Sequence, residues 1–242
     1  MKYGIISDIH SNILAFEKAL KEIEKENVDK IICLGDTVGI GPYPNECVKK
    51  LISIKDKIIA VRGNHEERCI FGCPDYIHDG KQKLTEEEKK REAWSRNQLD
   101  EESMNFIKNL LPLTYIEDGK YKISIMHFPI KEDGNLKEFK FCFEKDELLD
   151  YFGEYNSDIF LFGHTHISLV SRENNKWYIN PGSLGLTGFR NYGTYGILNI
   201  TNDKIYYLEH YFDYDYKEVI NQMKSINYPD VDNMISIFFG NK

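Results

Sequence analysis

A short hydrophobic run from Asp158 to Phe162 ends directly in Gly163-His164-Thr165-His166, and this junction constrains the fold more than any other feature of the sequence. An apolar run of this length, closed by a glycine, is typical of a buried β-strand. Two imidazoles one residue apart at the end of a strand indicate a metal site. Four earlier apolar runs also end in residues able to bind a cation: Asp8 with His10, Asp36, Asn64 with His65, and His127. Together with His164 and His166, these stretches contain five of the 7 histidines.

Composition predicts one soluble globular domain over residues 1–242. A chain of 242 residues can bury a substantial core, and 41% hydrophobic with 29% charged residues is ordinary for a soluble protein. The 16 tyrosines and 14 phenylalanines argue against disorder. A net charge of -8 repels polyphosphate backbones at long range, so we expect no extended nucleic-acid surface. Small or singly phosphorylated partners fit this charge better.

The cysteines and the apolar runs predict a cytoplasmic protein. Five cysteines make an odd number without a Cys-x-x-Cys pair, in a chain much larger than disulfide-stabilised domains, which indicates a reducing compartment. Cys69 and Cys73 lie close in sequence, but without a second pair we interpret them as packing residues. We expect no signal peptide, because Asp8 interrupts the N-terminal apolar run, and no membrane span, because no run approaches about 20 apolar residues.

The N-terminal part of the chain alternates strands with helices. Strands are predicted at Lys2–Ser7, Lys30–Leu34 and Lys57–Val61, with one helix capped by Asn12 and another starting at Pro44. Repeats of this kind pair in parallel through right-handed crossovers, so the carboxyl ends of the strands meet at one edge of a sheet. Open α/β sheets usually have their functional sites at that edge. We therefore expect four candidate side chains to converge there: Asp8, His10, Asp36 and Asn64.

The periodicity changes over residues 66–111, where no strand is predicted. Thr85-x-x-Glu88 has the form of a capping box at the start of one helix, and Asp100 can cap a second. The charged run Glu86–Glu92 is interpreted as a solvated helix face. The segment is therefore predicted to be a small helical cap inserted into the domain, and it is a candidate source of substrate selectivity. The apolar face of the second helix would consist of Phe106, Ile107, Leu110 and Leu111.

The second half of the chain predicts a mostly antiparallel sheet. Asp118-Gly119 is a two-residue turn signal, and the hairpin around it would deliver His127 at the end of its second arm. Asn174-Asn175 and Asn202-Asp203 are further turns. Two facing sheets with helices outside give an α/β fold, a four-layer α/β/β/α sandwich of two mixed sheets flanked by helices. The predicted strands are 114–117, 120–126, 158–162, 168–172, 176–179, 195–200 and 204–211, with helices near 146–152 and from Tyr216 onward.

Five motifs, each at the end of a predicted strand, resemble in kind and order those of the calcineurin-like metallophosphoesterase superfamily: Asp8-x-His10, Gly35-Asp36, Gly63-Asn64-His65-Glu66, His127 and Gly163-His164-Thr165-His166. The resemblance spans most of the chain. The longer strings Gly35-Asp36-Thr37-Val38-Gly39-Ile40-Gly41-Pro42 and Asn180-Pro181-Gly182-Ser183 are similar to the small bacterial and archaeal phosphodiesterase branch. The serine/threonine protein phosphatases instead have an arginine shortly after the aspartate of the second motif, which this sequence lacks.

The resemblance implies two divalent transition metal ions. A carboxylate has two oxygens, so Asp36 can be shared between them. Mixed imidazole and oxygen ligands suit Mn, Fe, Zn or Ni better than Mg or Ca, and the choice among these four stays open. With a bridging hydroxide the site would have a net positive charge of about one unit, which favours a phosphate anion. One ion would be held by Asp8, His10, Asp36 and His166, and the other by Asp36, Asn64, His127 and His164.

The resemblance also implies hydrolysis of a phosphoester by in-line attack of a metal-bridging hydroxide, with the metals stabilising charge on the phosphoryl oxygens. His65 follows a ligand in the sequence and is assigned as the general acid that protonates the departing oxygen. Phosphodiesters and phosphomonoesters, nucleotides among them, stay open as substrates. The alternative is a non-catalytic metal-binding scaffold or interaction module on the same fold, which the presence of every ligand and of His65 disfavours.

Other residues have interpretations that the sequence leaves open. Glu66 can orient a histidine or contact the cap at the surface, and Arg190 can bind substrate phosphate or lie exposed to solvent. His78 and His210 are expected to have no role in the site. After the fourth motif, Phe128-Pro129 stands where many relatives have glycine, which is expected to add bulk beside the second metal. The sequence does not indicate an oligomeric state.

Overall fold

The computed structural model of the chain describes residues 1–77, 82–132, 134, 136–138, 140, 142–144, 147–188, 191–201 and 204–240. The strands, in chain order, are β1 Lys2–Ile6, β2 Lys30–Cys33, β3 Ile58–Ala60, β4 Tyr76–Ile77, β5 Gln82–Lys83, β6 Leu113–Asp118, β7 Tyr121–Met126, β8 Ile159–Leu161, β9 Ser168–Glu173, β10 Lys176–Pro181, β11 Tyr192–Ile200 and β12 Ile205–Asp213. The helices are α1 Ile13–Lys25, α2 Pro44–Ser53, α3 Asn64–Phe71, α4 Glu86–Gln98, α5 Glu101–Asn109, α6 Glu147–Phe152, α7 Tyr216–Ser225 and α8 Val231–Phe239.

The first sheet has five strands in the order β12-β11-β1-β2-β3. Strands β1, β2 and β3 are parallel, as the strand–helix–strand pattern predicts. Asn12 caps α1 by accepting a hydrogen bond from the backbone N–H of Ala15 at 3.1 Å, and Pro44 occupies the first turn of α2. Both helices bury an apolar face against this sheet, through residues such as Phe16 and Leu51.

The second sheet has five strands in the order β6-β7-β8-β10-β9. Two of its pairs, β7 with β8 and β8 with β10, are parallel, and the two outer pairs are antiparallel. The prediction of a mostly antiparallel second sheet is therefore wrong. The last two strands account for the difference, because β11 pairs with β1 and brings β12 into the first sheet. Residue alternation identifies a segment as a strand but does not identify its neighbour.

Three hydrophobic clusters lie between the layers of the fold and pack them together. The cluster between the sheets combines Ile5 and Ile32 of the first sheet with Ile123 and Leu161 of the second. A second cluster lies between the first sheet and helices α1 and α2. A third covers the outer face of the second sheet, where α6 contributes Phe152. The predicted four-layer α/β/β/α sandwich of two mixed sheets is confirmed.

The segment between β3 and β6 contains helices α3, α4 and α5, and it also contains the short antiparallel ribbon β4-β5. The expectation of no strand in residues 66–111 is wrong at this ribbon. Both predicted caps are present, since Thr85 and Glu88 form the capping box of α4 and Asp100 caps α5. Helix α5 ends two residues before Leu111, which was expected on its apolar face and is exposed instead.

Two of the three predicted turns lie in the described part of the chain. Gly119 joins β6 to β7 with a φ of 61°, and Asn174 and Asn175 join β9 to β10 with φ values of 49° and 62°. The turn predicted at Asn202-Asp203 lies outside the described residues.

The C-terminal segment forms two helices, α7 and α8, rather than the single helix predicted from Tyr216. These helices pack in one cluster with Leu186 and with Trp94 of α4, so they brace the inserted segment. Among the described residues, no helix is both long enough and apolar enough to span a lipid bilayer.

Candidate metal centre

The candidate residues lie at the carboxyl ends of five strands that meet at one edge of the two facing sheets. In the first sheet these strands are β1, β2 and β3, and in the second they are β7 and β8, which also run parallel. Backbone hydrogen bonds tie the loops together, for example from Asp8 N–H to the Gly35 carbonyl at 3.1 Å and from Gly163 N–H to the His127 carbonyl at 2.8 Å. The strand ends deliver Asp8, His10, Asp36, Asn64, His127, His164 and His166.

Most of these residues sit on sharply turned backbone. Residues other than glycine rarely adopt positive φ, and those that do are found in tight turns and at functional sites where the surrounding structure enforces it. A sharp turn directly after each strand points successive side chains toward a common centre instead of along the strand direction. Five predicted ligands have φ between 49° and 71°: Asp8, His10, Asp36, His164 and His166.

Gly35 and Gly63 allow the ends of β2 and β3 to approach each other. A Cβ atom on Gly35 would lie 2.6 Å from the backbone nitrogen of Gly63, and one on Gly63 would lie 2.2 Å from Asp36 Oδ1. Gly35 also has a φ of 94°, which favours glycine. Both glycines therefore lie at tight strand-to-loop turns where a side chain would collide with the neighbouring loop.

The first cluster brings one ligand atom each from Asp8, His10 and His166 within 4.8 Å of one another. His166 Nε2 lies 2.9 Å from His10 Nε2 and 3.2 Å from Asp8 Oδ1. Ser7 Oγ and the backbone N–H of His164 donate to the other oxygen of Asp8. Asp8 Oδ1 is therefore buried and has no hydrogen-bond partner among the described residues, as expected for an atom placed to bind a cation.

The second cluster joins Asp36, His127 and His164 within the same distance. His127 Nε2 lies 3.1 Å from Asp36 Oδ2, 3.2 Å from His164 Nδ1 and 3.1 Å from Asn64 Oδ1. Asp36 Oδ2 also lies 3.9 Å from His10 Nε2. This oxygen consequently stands between the two clusters. The grouping matches the division of ligands that the resemblance implies, and metal binding by these residues stays a prediction.

Hydrogen bonds at the far side of two rings decide which nitrogens face the centre. His127 Nδ1 donates to the Leu34 carbonyl at 2.8 Å, and His166 Nδ1 donates to the Leu186 carbonyl at 2.9 Å. In the neutral rings the Nε2 atoms then have lone pairs directed into the clusters. Lone pairs of imidazoles and carboxylates at such short separations repel one another unless a cation lies among them.

The electrostatics of the site also require positive charge. Burial lowers the pKa of His127, but the adjacent Asp36 carboxylate outweighs burial and raises that pKa to about 10. Burial raises the pKa values of Asp8 and Asp36, yet the neighbouring histidines outweigh it and hold both well below the usual range. The carboxylates thus retain a proton on His127, which a divalent cation can displace. The donor set of imidazole, carboxylate and amide oxygen fits a transition metal.

His65 lies beside the two clusters. Its Nε2 is 4.0 Å from Asp36 Oδ2, and His10, Asp36 and His65 form a third group with ligand atoms within 4.8 Å. The His65 ring meets the His10 ring edge to face, with centroids 5.0 Å apart. Gly39 leaves room for this ring, since a Cβ there would lie 2.4 Å from His65 Nδ1. His65 is therefore within reach of a ligand in the site, and its role as general acid stays a prediction.

Glu66 has a role that neither interpretation of the sequence included. It is fully buried and accepts four backbone hydrogen bonds from the loops after β2 and β3. A carboxylate that gathers several backbone donors fixes the shape of the loop. Its place in the motif Gly63-Asn64-His65-Glu66 was the available signal. The donors are the N–H groups of Asp36, Thr37, Val38 and Gly63, at 2.9, 2.7, 3.1 and 2.7 Å.

Glu92 contradicts the interpretation of Glu86–Glu92 as a solvated helix face. Its side chain is buried, and its Oε1 lies 2.7 Å from His65 Nδ1 and 2.9 Å from Arg68 Nη1. The other glutamates of the run, in the first turn of α4, are exposed or partly exposed, as predicted. No local sequence signal distinguishes Glu92 from them, because its partners lie on a different helix.

The end of β10 and the loop that follows it hydrogen-bond to the backbone of two loops of the metal centre. Asn180 is buried and donates to the Gly163 carbonyl at 2.8 Å, and Ser183 Oγ donates to the Asp8 carbonyl at 2.9 Å.

Phe128 is fully buried, and its ring centroid lies 5.0 Å from that of His164. The bulk expected from Phe128 beside the second cluster is therefore present.

The remaining candidates lie elsewhere. Arg190 and His78 fall outside the described residues, so their predicted roles stay predictions. His210 stacks on Tyr195, with centroids 4.9 Å apart, and takes part in none of the three groups of described residues above. Cys69 is buried and Cys73 partly buried, and all five cysteines are free thiols.

Comparison with known proteins identifies the family. Residues 1–203 match the calcineurin-like phosphoesterase superfamily domain. The chain is 31% identical to the uncharacterized protein MJ0912 of Methanocaldococcus jannaschii, over 75% of each chain. It is 28% identical to the phosphodiesterase MJ0936 of the same organism, over 75% of this chain and 83% of the relative. The fold is shared with a metallophosphoesterase from Sphaerobacter thermophilus, with a TM-score of 0.75, 23% identity and 98% coverage of both chains.

The match covers most of the chain, and the two sheets and the Asp and His clusters agree with it. The chain belongs to the calcineurin-like phosphoesterase superfamily. The resemblance found in the sequence is thereby confirmed at the level of the family.

Proposed function

We propose that this protein is a dinuclear metal-dependent phosphodiesterase that hydrolyses small phosphorylated substrates, with nucleotides in the candidate class. The observation that supports the proposal most directly is the pair of clusters on either side of Asp36 Oδ2, which lies 3.1 Å from His127 Nε2 and 3.9 Å from His10 Nε2. A shared carboxylate between two sets of nitrogen and oxygen donors is the arrangement that two-metal hydrolases use. Relatives named as phosphodiesterases, such as MJ0936, favour a diester over a monoester.

The residues present fit two divalent ions. Asp8, His10 and His166 would hold one ion, Asn64, His127 and His164 would hold the other, and Asp36 would contact both. When bound, the ions would withdraw charge from the phosphoryl oxygens and activate water for attack on phosphorus. Their positive charge would outweigh the negative charge of the two carboxylates, so the centre would attract a phosphate anion although the whole chain has a net charge of -8.

His65 would protonate the departing oxygen. Its ring lies beside the clusters, with Nε2 at 4.0 Å from Asp36 Oδ2, and its Nδ1 contacts Glu92 and not a predicted ligand. An imidazole outside the ligand shell but within reach of a bound phosphoester can donate a proton as the phosphorus–oxygen bond breaks. The helical insertion supplies Arg68 and Glu92 next to His65, which supports a part for this segment in substrate selection.

The first experiment is an assay of purified protein with bis-p-nitrophenyl phosphate and p-nitrophenyl phosphate, with and without added Mn²⁺. We expect metal-dependent hydrolysis that favours the diester and stops when a chelator removes the metal. Faster hydrolysis of the monoester than of the diester would show that the protein is a phosphatase and not a phosphodiesterase. Metal binding without hydrolysis of either ester would favour the second candidate, a metal-binding scaffold or interaction module on the same fold.

A further inference from the structure

Helix α4 begins with three glutamates in its first turn, yet Glu92, in the middle of the helix, is only 5% exposed. Its Oε1 lies 2.7 Å from His65 Nδ1 and 2.9 Å from Arg68 Nη1. Burial raises the pKa of Glu92, but His65 and Arg68 outweigh burial and lower that pKa, so the group is a carboxylate. A buried carboxylate is costly unless it is paired, and here one partner is the candidate general acid.

The contact with Arg68 does not by itself explain this arrangement. Glu92 Oε2 is buried and has no hydrogen-bond partner among the described residues. A pair that served only to join α3 to α4 could use both oxygens in a bidentate contact with the guanidinium group. Instead, a single oxygen contacts both Arg68 and His65, and the second oxygen is left unsatisfied. Such a costly arrangement in a native structure calls for a functional explanation.

The contact lies on the Nδ1 side of the His65 ring, and it is an ion pair whose two atoms are close but are not aligned as a hydrogen bond. A carboxylate beside Nδ1 favours a proton on that nitrogen and keeps Nε2 on the opposite side of the ring. Nε2 lies on the side of Asp36, at 4.0 Å from its Oδ2. A histidine used in acid–base chemistry depends on such a partner for its tautomer and its orientation.

Helix α4 is held by contacts that do not involve His65. Arg91 pairs with Asp230 at 2.8 Å, and Trp94 packs edge-on against Tyr228 with centroids 4.9 Å apart. Asp230 and Tyr228 belong to the C-terminal segment, beyond the residues 1–203 that match the family. The C-terminal helices therefore hold α4, and with it Glu92, through contacts additional to those that Glu92 makes with α3.

We propose that Glu92, supplied by the helical insertion, is a positioning residue that holds the His65 imidazole with Nε2 turned toward the departing oxygen of the substrate. The inference rests on the proposed function, because it gives a partner to the general acid of that reaction. It extends that function by giving the insertion a part in the chemical step.

The test compares two aryl diesters of the same charge, diphenyl phosphate and bis-p-nitrophenyl phosphate, with Mn²⁺-loaded protein. The phenol leaving group is the more basic and needs the proton more. Glu92→Leu, which removes both oxygens, should lower kcat for diphenyl phosphate about tenfold or more. This loss is smaller than the whole rate acceleration that a general acid supplies, which is about 100- to 10,000-fold, because His65 itself remains. The loss for the nitrophenyl ester should be much smaller. Equal losses for the two esters, or no loss, would overturn the inference.

Two further variants separate positioning from a general effect on the fold. Glu92→Gln keeps an acceptor oxygen and nearly the same volume, so it should recover most of the activity; a Gln variant as slow as the Leu variant would contradict positioning through the acceptor. In a His65→Ala background, Glu92→Leu should cause no additional loss, because residues that act through one another are not additive. If Glu92→Leu lowered the activity as much in the His65→Ala background as in the wild type, Glu92 would act through a residue other than His65. Glu87→Gln, on the exposed part of the same helix, is the matched control and should behave as wild type.

A measurement on the unaltered protein does not depend on the folding of any variant. Nitrogen-15 NMR of the histidine side chains, with the His65 signals assigned by their absence from His65→Ala, should show a proton on His65 Nδ1. A His65 ring protonated only on Nε2 would overturn the inference. Wild-type protein that hydrolyses neither ester would instead reject the proposed function, and the inference would fall with it. An active wild type with an active, unselective Glu92→Leu variant would reject the inference alone.

Discussion

Asp36 accepts a hydrogen bond from the backbone N–H of His65 through Oδ1, at 2.9 Å. Its other oxygen, Oδ2, is left to the centre of the site, where the Nε2 atoms of His127 and His10 lie 3.1 and 3.9 Å away. One carboxylate therefore anchors the first turn of α3, which supplies the candidate general acid, and also stands between the two metal clusters. This double role makes Asp36 the most sensitive position for testing the metal centre.

The first prediction concerns metal content. Because Asp36 contacts both clusters, Asp36→Asn should lose both ions, whereas His166→Ala should weaken mainly the ion of the first cluster. Elemental analysis after reconstitution should give about two transition metal ions per chain for the wild type. His210→Ala, outside both clusters, is the control. Full metal content in Asp36→Asn would contradict the sharing of this ligand.

The second prediction concerns His65. His65→Ala should leave metal content near that of the wild type, because the seven predicted ligands remain. Hydrolysis of diphenyl phosphate should fall by about 100-fold or more, while bis-p-nitrophenyl phosphate, whose leaving group is good without protonation, should lose much less. Steady-state kinetics on both esters measure the difference. Loss of a metal ion in this variant would show that His65 is a ligand, as its distance from Asp36 Oδ2 of 4.0 Å also allows.

The third prediction concerns the stability of the metal-free protein. Glu66→Gln replaces one of the two acceptor oxygens by an NH₂ group that faces backbone donors. Leaving two buried N–H groups unsatisfied should lower the free energy of unfolding by on the order of 2–4 kcal/mol. Denaturant unfolding measures this change. Glu67→Gln is the control, because Glu67 is partly exposed and pairs with Arg62 at 3.3 Å, so its loss should cost less than about 1 kcal/mol.

The fourth prediction concerns Gly39, which has a φ of 92°. A Cβ at this position would lie 2.4 Å from His65 Nδ1, so Gly39→Ala should displace the His65 ring and reproduce the leaving-group dependence of His65→Ala. Gly119→Ala is the matched control, since Gly119 also has positive φ, 61°, but a Cβ there meets no atom within 4 Å. Both variants should lose stability from backbone strain of about 1 kcal/mol. Kinetics on the two aryl diesters should separate them, and equal activities would argue against displacement of His65.

The local sequence determined most of the secondary structure and the composition of the site. Asn12, Pro44, Thr85 and Asp100 mark helix starts correctly, because capping depends on residues only a few positions apart. The motifs at the strand ends identified the seven residues that the structure brings together, because parallel strands must end at a common edge.

Only the tertiary structure decided how distant segments pair. Alternation marks β11 and β12 as strands, but their place in the first sheet depends on hydrogen bonds to β1, almost the whole chain away. The same holds for two glutamates: Glu66 is buried because loops before it in the chain supply four backbone donors, and Glu92 because α4 packs against α3. A charged residue on a helix is exposed or buried according to what the rest of the chain places against it, since burial of a carboxylate is tolerated only where partners offset its desolvation. Those partners are fixed by packing, which no short stretch of sequence encodes.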